Sequence, residues 1–109
     1  MEVGVANLAD TDVRDLIALH QRQMYNASPP GTSFALDLSG LERPDVTVFD
    51  ARQNGELLGI GALMQLSSAM GEIKSMRTKE LALRRGVGQA LLDAITFAAR
   101  DRSLKLLVL

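Results

Sequence analysis

The sequence predicts a mixed α/β (α+β) protein with the element order β-α-(α)-β-β-β-α-β, and three observations predict it. Apolar residues recur at helical spacing in two stretches, residues 12–26 and 87–102. Two strand-like segments, 45–52 and 57–66, flank Asn54-Gly55, a pair that suits a type I′ hairpin turn. A third strand-like segment, 71–78, runs through a glycine-containing loop into the second helix and then into the apolar run Leu104 to Leu109. That last pattern is a strand–helix–strand crossover, which pairs its strands in parallel.

The elements follow in order. Val3 to Leu8 alternates weakly and reads as a short first strand. Asp10, Thr11 and Asp12 are good N-cap types, and Asp15 places acid in the first turn of a helix. Val13, Leu16, Ile17, His20 and Met24 form its apolar stripe. Ser28-Pro29-Pro30-Gly31 ends it, since proline lacks the backbone donor and glycine permits the turn. Across residues 32–44, Phe34, Leu36, Leu38 and Leu41 fit either a short helix or a packed loop.

Asp45 to Arg52 is rich in β-branched and aromatic residues and reads as a strand. Leu57 to Leu66 is its antiparallel partner, with Leu58, Ile60, Ala62, Met64 and Leu66 expected on one face. Gly59 and Gly61 on the other face leave room for a packed helix, or for the close approach of a ligand. Ser67 to Met70 reads as a loop. In the last helix Val87, Leu91, Ala94, Ile95 and Ala98 make the buried stripe. Leu104 to Leu109 suits a buried strand parallel to 71–78, joined to it by a right-handed connection.

Bulk properties narrow the function classes. At 109 residues the chain has the length of one domain, 1–109. Lys and Arg total 12 against 13 Asp and Glu, a net charge of −1 without a basic block, which argues against a nucleic-acid partner. The absence of cysteine excludes disulfides, thiolate metal sites and a cysteine nucleophile, and no metal site is expected. No stretch is long and apolar enough for a membrane span, and no signal peptide opens the chain. A cytoplasmic protein with no membrane partner is expected.

The run Arg84-Arg85-Gly86-Val87-Gly88-Gln89-Ala90-Leu91-Leu92 carries the chemistry. A loop opening a helix presents free backbone N–H groups and the positive end of the helix dipole, both of which favour an anion. Arg84 and Arg85 add charge suited to a pyrophosphate. A nucleoside-triphosphate loop would need Lys and then Ser or Thr after Gly88, where Gln89 and Ala90 stand. A dinucleotide fingerprint would need glycine at Leu91. The signature Arg/Gln-x-x-Gly-x-Gly/Ala of acyl-coenzyme A sites is met by Arg85, Gly88 and Ala90.

With that motif and element order, the chain resembles the GNAT superfamily of acetyl-coenzyme A-dependent N-acetyltransferases, from Val3 to Leu109. The resemblance is most specific in residues 71–78 and 83–92, and Ser28-Pro29-Pro30 with Ala35-Leu36-Asp37-Leu38 is similar to a small bacterial subgroup. It implies acetyl-coenzyme A as cosubstrate and an unidentified amine as acceptor. Backbone groups of Met76, Arg77 and Thr78 would pair with the pantetheine arm. Amides from Arg85 through Gly86, Val87, Gly88 and Gln89 would surround the pyrophosphate. Arg84 would contact phosphate or cap the loop at the surface.

Glu72 precedes Arg85 at the spacing where histone-type members of the family hold a general base, and an attacking amine must lose a proton. The alternative for Glu72 is an ion pair with Lys74 on one strand face. His20 reads as a partly buried core or groove residue, with acceptor binding as the alternative. Tyr25 reads as packing, and Met24, Met64, Met70 and Met76 as gap-filling or groove-lining residues.

Family members continue past the strand matching Leu104 to Leu109 with a helix and two more strands, which complete the coenzyme channel. Those segments are missing from these residues, so the resemblance implies a C-terminally shortened GNAT-like sheet. An uncovered apolar strand edge leaves three explanations: a truncated or frameshifted reading frame, a second chain that covers the edge, or a marginally stable remnant. The working expectation is a homodimer. Three readings compete: an N-acetyltransferase, a non-catalytic acyl-coenzyme A-binding or interaction module, and a degenerate structural fragment.

Overall fold

A computed structural model describes residues 1–27 and 37–109. The predicted helix stop at Ser28 to Gly31, and Phe34 and Leu36 of the ambiguous segment, lie outside the described residues. The elements are β1 (Glu2–Val5), α1 (Thr11–Ala27), α2 (Leu38–Leu41), β2 (Val46–Gln53), β3 (Glu56–Gln65), β4 (Met70–Thr78), a 3-10 turn (Glu80–Ala82), α3 (Val87–Asp101) and β5 (Leu106–Val108). Among the described residues no helix is long and apolar enough to cross a membrane.

The strands form one sheet in the order β1-β2-β3-β4-β5. The first three pairings are antiparallel; β4 and β5 pair in parallel, as the crossover pattern requires. The β2–β3 turn has φ of 53° at Asn54 and 82° at Gly55, the two positive values that a type I′ turn needs. Helix α1 begins where the acidic residues predicted it. The Asp10 carbonyl accepts from the Arg14 amide at 3.0 Å, and the Asp12 carboxylate accepts from the Val13 amide at 2.8 Å. In α2, the Asp37 carboxylate accepts from the Gly40 amide at 2.9 Å and from the Ser39 hydroxyl at 2.8 Å. These bonds hold the Asp37 carboxyl below its ordinary value and cap a helix whose anchor is buried Leu41.

Each sheet face carries its own apolar layer. Val87, Leu91, Ile95 and Ala99 of α3 pack on Leu63, Ile73 and Leu104. Val13, Leu16 and Ile17 of α1, with Leu41, pack on Val48, Leu57, Ile60 and Ala62. Each such aliphatic side chain contributes roughly 1.5–3 kcal/mol by leaving water. The glycines of β3 make room for α3. A Cβ on Gly59 would lie 2.8 Å from Val87 Cγ1 and 3.0 Å from the Arg77 carbonyl oxygen, and one on Gly61 would collide with the Met76 sulfur.

Two irregularities correct the expected strand faces. The β2–β3 register shifts between Ala51 and Arg52. The extra residue turns Leu58 into the α3-side layer, away from Ile60 and Ala62. Leu66 lies beyond β3 and is exposed. In β4, Ile60 pairs with Arg77 and Ala62 with Lys74, so Ser75 and Met76 together oppose Gly61. Ser75 sits at a φ of 56°, in the left-handed region.

Other expectations shift for simpler reasons. Ala94 and Ala98 sit only at the margin of the α3 layer, whose fourth buried position is Ala99. Tyr25 is exposed rather than packed, and Met24 is exposed, which leaves it no gap to fill. The apolar run at 104–109 pairs in parallel as predicted, but only Leu104 is buried, while Leu106 and Leu109 are exposed.

Candidate functional site

The start of α3 is open by construction. The Ala90 amide donates to the Gly86 carbonyl at 3.0 Å, the first bond of the helix, so the amides of Val87, Gly88 and Gln89 have no helical acceptor. The N-cap is Gly86, at a φ of 79°, and it has no side chain to fill the gap. A Cβ at Gly88 would meet nothing within 4 Å. Packing therefore gives no reason for glycine there, whereas an anion approaching the amides does. Arg84, at a φ of 66°, and Arg85 are exposed on the loop. Among the described residues neither forms an ion pair. The Val87 side chain is buried and anchors this end of the helix on β3. The Gln89 side chain is occupied by Asp93, at 2.8 Å.

Strand β4 leads into that loop with a free edge. Its pairing to β5 covers only Met70, Gly71 and Glu72. Beyond Glu72 no described strand lies along that side. The Lys79 amide donates to the Leu58 carbonyl on β3 at 2.8 Å. By strand alternation, the backbone groups of Thr78 then face the open edge. The Arg77 carbonyl is turned toward β3, close against Gly59, and Met76 packs its side chain into the α3 layer. Thr78 and, by the same alternation, Met76 are thus the residues of the three whose backbone groups can pair with an added chain.

Glu72 and Lys74 share the α1 side of the sheet, since their partners across β3 are Met64 and Ala62. Their charged ends lie 3.5 Å apart, with both side chains mostly covered. The ion pair read from the sequence is therefore formed. It does not remove Glu72 from the same face as the groups below.

Arg77 also points to the α1 side, opposite Ile60. It donates from Nη2 to Gln23 Oε1 on α1, while its Nε is buried without a partner. His20 is buried at 8% exposure, and its Nδ1 has no partner. Burial, and secondarily the Arg77 charge, hold the His20 imidazole below its ordinary value, so the ring is neutral. A cleft of about 290 Å³ opens beside Arg77, lined by Leu16, Leu19, Gln23, Arg77, Thr78 and Glu80, with His20 outside its lining.

Sequence reasoning did not single out Gln23, Leu16 and Leu19 as cleft residues, nor the side chain of Arg77. One signal was present: a cation in a strand with no acid at the neighbouring same-face positions. The other strand arginine, Arg52, is fully engaged. It binds Asp12 at 2.8 Å, Asp50 at 3.1 Å and Asp10 at 3.5 Å, and ties β2 to the start of α1.

Comparison with known proteins bears on family and fold. Residues 3–103 match the family described as Acetyltransferase (GNAT) domain, PanZ. The chain is 43% identical over 98 residues to YedL of Escherichia coli (strain K12), an uncharacterized N-acetyltransferase, covering 90% of this chain and 62% of that protein. It is 38% identical over 102 residues to YsnE of Bacillus subtilis (strain 168), also an uncharacterized N-acetyltransferase, covering 94% and 68%. The chain thus spans about two thirds of the length of these relatives. A crystal structure of an aminoglycoside 6'-N-acetyltransferase complexed with coenzyme A superposes with a TM-score of 0.73 at 12% identity, over 94% of this chain and 57% of that one. That likeness shows the fold.

Proposed function

Because the chain belongs to the GNAT acetyltransferase family, we propose that it transfers an acetyl group from acetyl-coenzyme A to a primary amine of a small molecule or peptide. The observation that carries this reading is the start of α3. Three consecutive amides without helical acceptors stand behind a glycine that packing does not require. Amides of Arg85 to Gln89 would hold the pyrophosphate, with Arg84 and Arg85 supplying charge. The segment Met76-Arg77-Thr78 would receive the pantetheine arm along the open edge, through backbone groups of Met76 and Thr78.

In the reaction the amine nitrogen attacks the thioester carbonyl carbon. A C–N bond forms, the C–S bond breaks, and coenzyme A leaves as a thiolate that takes up a proton. The amine gives up a proton, which Glu72 accepts directly or through water. Glu72 faces the α1 side of β4 but stands outside the lining of the cleft at Arg77 and Thr78, so this role rests on the family resemblance. A homodimer in the cytoplasm belongs to the same reading, and exposed Phe97 and Leu106 are apolar surface for a second copy. A monodisperse monomer in sedimentation equilibrium would refute the dimer.

A second reading, a coenzyme A-binding module without turnover, is favoured by one observation: Glu72 is held in an ion pair by Lys74. Calorimetric titration with coenzyme A and release of free thiol with a panel of amines separate the two. Binding with thiol release supports the transferase. Binding without release supports the module, and absence of binding refutes both. In the transferase, Glu72→Gln lowers thiol release by at least about 100-fold. Turnover that survives Glu72→Gln would remove the residue from the chemistry.

A further inference from the structure

We propose that the cleft beside α1 selects an acceptor carrying a carboxylate, with the Arg77 guanidinium as its anchor. The inference rests on the acetyl-transfer reading above, because it names the acceptor class of that site.

Arg77 is the observation that demands a partner. Among the described residues it has no carboxylate within ion-pair distance; Arg84 and Arg85 share that lack but are exposed to water, whereas Arg77 is partly covered. Residues 28–36, Ser-Pro-Pro-Gly-Thr-Ser-Phe-Ala-Leu, contain no acid that would serve. One guanidinium edge is partly used by Gln23, and Nε is buried with nothing to donate to. The guanidinium end of Arg77 lines the cleft, and a carboxylate arriving there would meet that end through charge-assisted bonds while Nε stays covered.

The surroundings suit a small zwitterion. Leu16 and Leu19 provide apolar walls. Neutral His20 on the adjacent turn of α1 adds no competing negative charge, and its Nδ1 is also without a partner. At the rim stand Lys79, which adds positive charge, and exposed Glu80, which subtracts from it. Thr78, on the strand edge proposed for the acetyl donor, lines the same cleft as Arg77. An acceptor held at Arg77 by its carboxylate would therefore sit beside the donor edge. A volume of about 290 Å³ lies at the lower end for small-molecule clefts and favours an amino acid over a large polycation.

The test uses the full chain, isotopically labelled, and follows the Arg77 Nε–H resonance during titration. The probes are the common L-amino acids and β-alanine, each compared with its own carboxamide, and separately inorganic phosphate. At least one acid should move the resonance saturably and bind about tenfold or more tightly than its amide. Arg77→Gln should bring that ratio near one, and Arg77→Lys, which keeps charge without the fork, should fall between. A melting curve for each variant establishes that it is folded.

Four results would overturn the proposal. No acid binds; the amides bind as well as the acids; the preference survives in Arg77→Gln; or phosphate alone moves the resonance. Coenzyme A calorimetry on the same wild-type sample reports the donor site independently. Its failure would refute acetyl transfer without deciding the carboxylate ratio. A loss of coenzyme A affinity in Arg77→Gln with the acid-to-amide ratio intact would reassign the side chain to the donor.

Discussion

Replacing Gly88 with tryptophan separates access to the start of α3 from the conformation of that loop. A Cβ at Gly88 meets no atom within 4 Å, so the indole extends into the space in front of the free amides without disturbing the core. Glycine is among the poorest helix formers, so the substitution stabilises α3 by a few tenths of a kcal/mol. In a domain of this length that raises the melting temperature by about 1–4 °C. Binding moves the other way. Each charge-assisted bond between an amide and a phosphate oxygen contributes about 1.5–3 kcal/mol, so losing one of them weakens coenzyme A by roughly 10- to 200-fold. Isothermal titration calorimetry and a thermal melt on the same sample read the two effects. Gly86→Ala is the contrast. At a φ of 79° the added Cβ costs about 1–2 kcal/mol and lowers the melting temperature. A Gly88→Trp protein that melts normally and binds coenzyme A as tightly as the wild type would refute the assignment of this loop.

Three more outcomes are expected. Gly59→Ala should destabilise the fold by about 1–3 kcal/mol in urea titration, because its Cβ would press on the Arg77 carbonyl as well as on Val87 and backbone cannot rotate away; an unchanged midpoint would contradict the packing. The Asp12 carboxyl is held below 3.8, chiefly by its hydrogen bond from Arg52. A depressed acid contributes stability that is complete above its unfolded value and is lost as pH falls through the folded one. Arg52→Met should therefore flatten the acid limb of stability below about pH 4, as read by urea melts; an unaltered limb would argue against the bond. His20 is depressed below 6.5 by burial first and the Arg77 charge second. The folded state then binds fewer protons than the unfolded one, so stability declines as pH falls from about 6.5 toward the folded value. An NMR titration midpoint of 6.5 or higher would contradict this, and Arg77→Gln should raise the midpoint.

The parts of the fold legible in the sequence are those set by local periodicity and turn chemistry. Val13, Leu16, Ile17 and His20 are buried in the order their spacing predicts, and Asn54-Gly55 takes the turn its two permissive residues allow. The glycine loop opens α3 where Gly86 to Gly88 placed it. What escaped the sequence depends on pairing between distant segments. Leu58 and Ser75-Met76 become bulges only because two strands meet in a particular register. Arg52 finds Asp12 across 40 positions, and no spacing rule links them. Tyr25 and Leu106 satisfy an apolar pattern, yet their surroundings leave them exposed. The cleft was illegible for the same reason, since Gln23 and Arg77 meet across 54 positions.

The doubled position in β4 works as a change of frame within one strand. Before it, even-numbered Glu72 and Lys74 face α1 and odd-numbered Ile73 faces α3; after it, odd-numbered Arg77 faces α1. Only Met70 to Glu72 of the first frame is stitched to β5, and the second frame runs with a free outer edge toward the glycine loop while staying paired to β3. A single extra residue thus sets which way the side chains face along the stretch whose outer edge can accept another chain. It also swings a guanidinium from what would have been the α3 core into the α1 cleft. Were the frame uninterrupted, a methionine would stand at the cleft and an arginine would be buried under α3, so the fold and the proposed acceptor site depend on the same residue count.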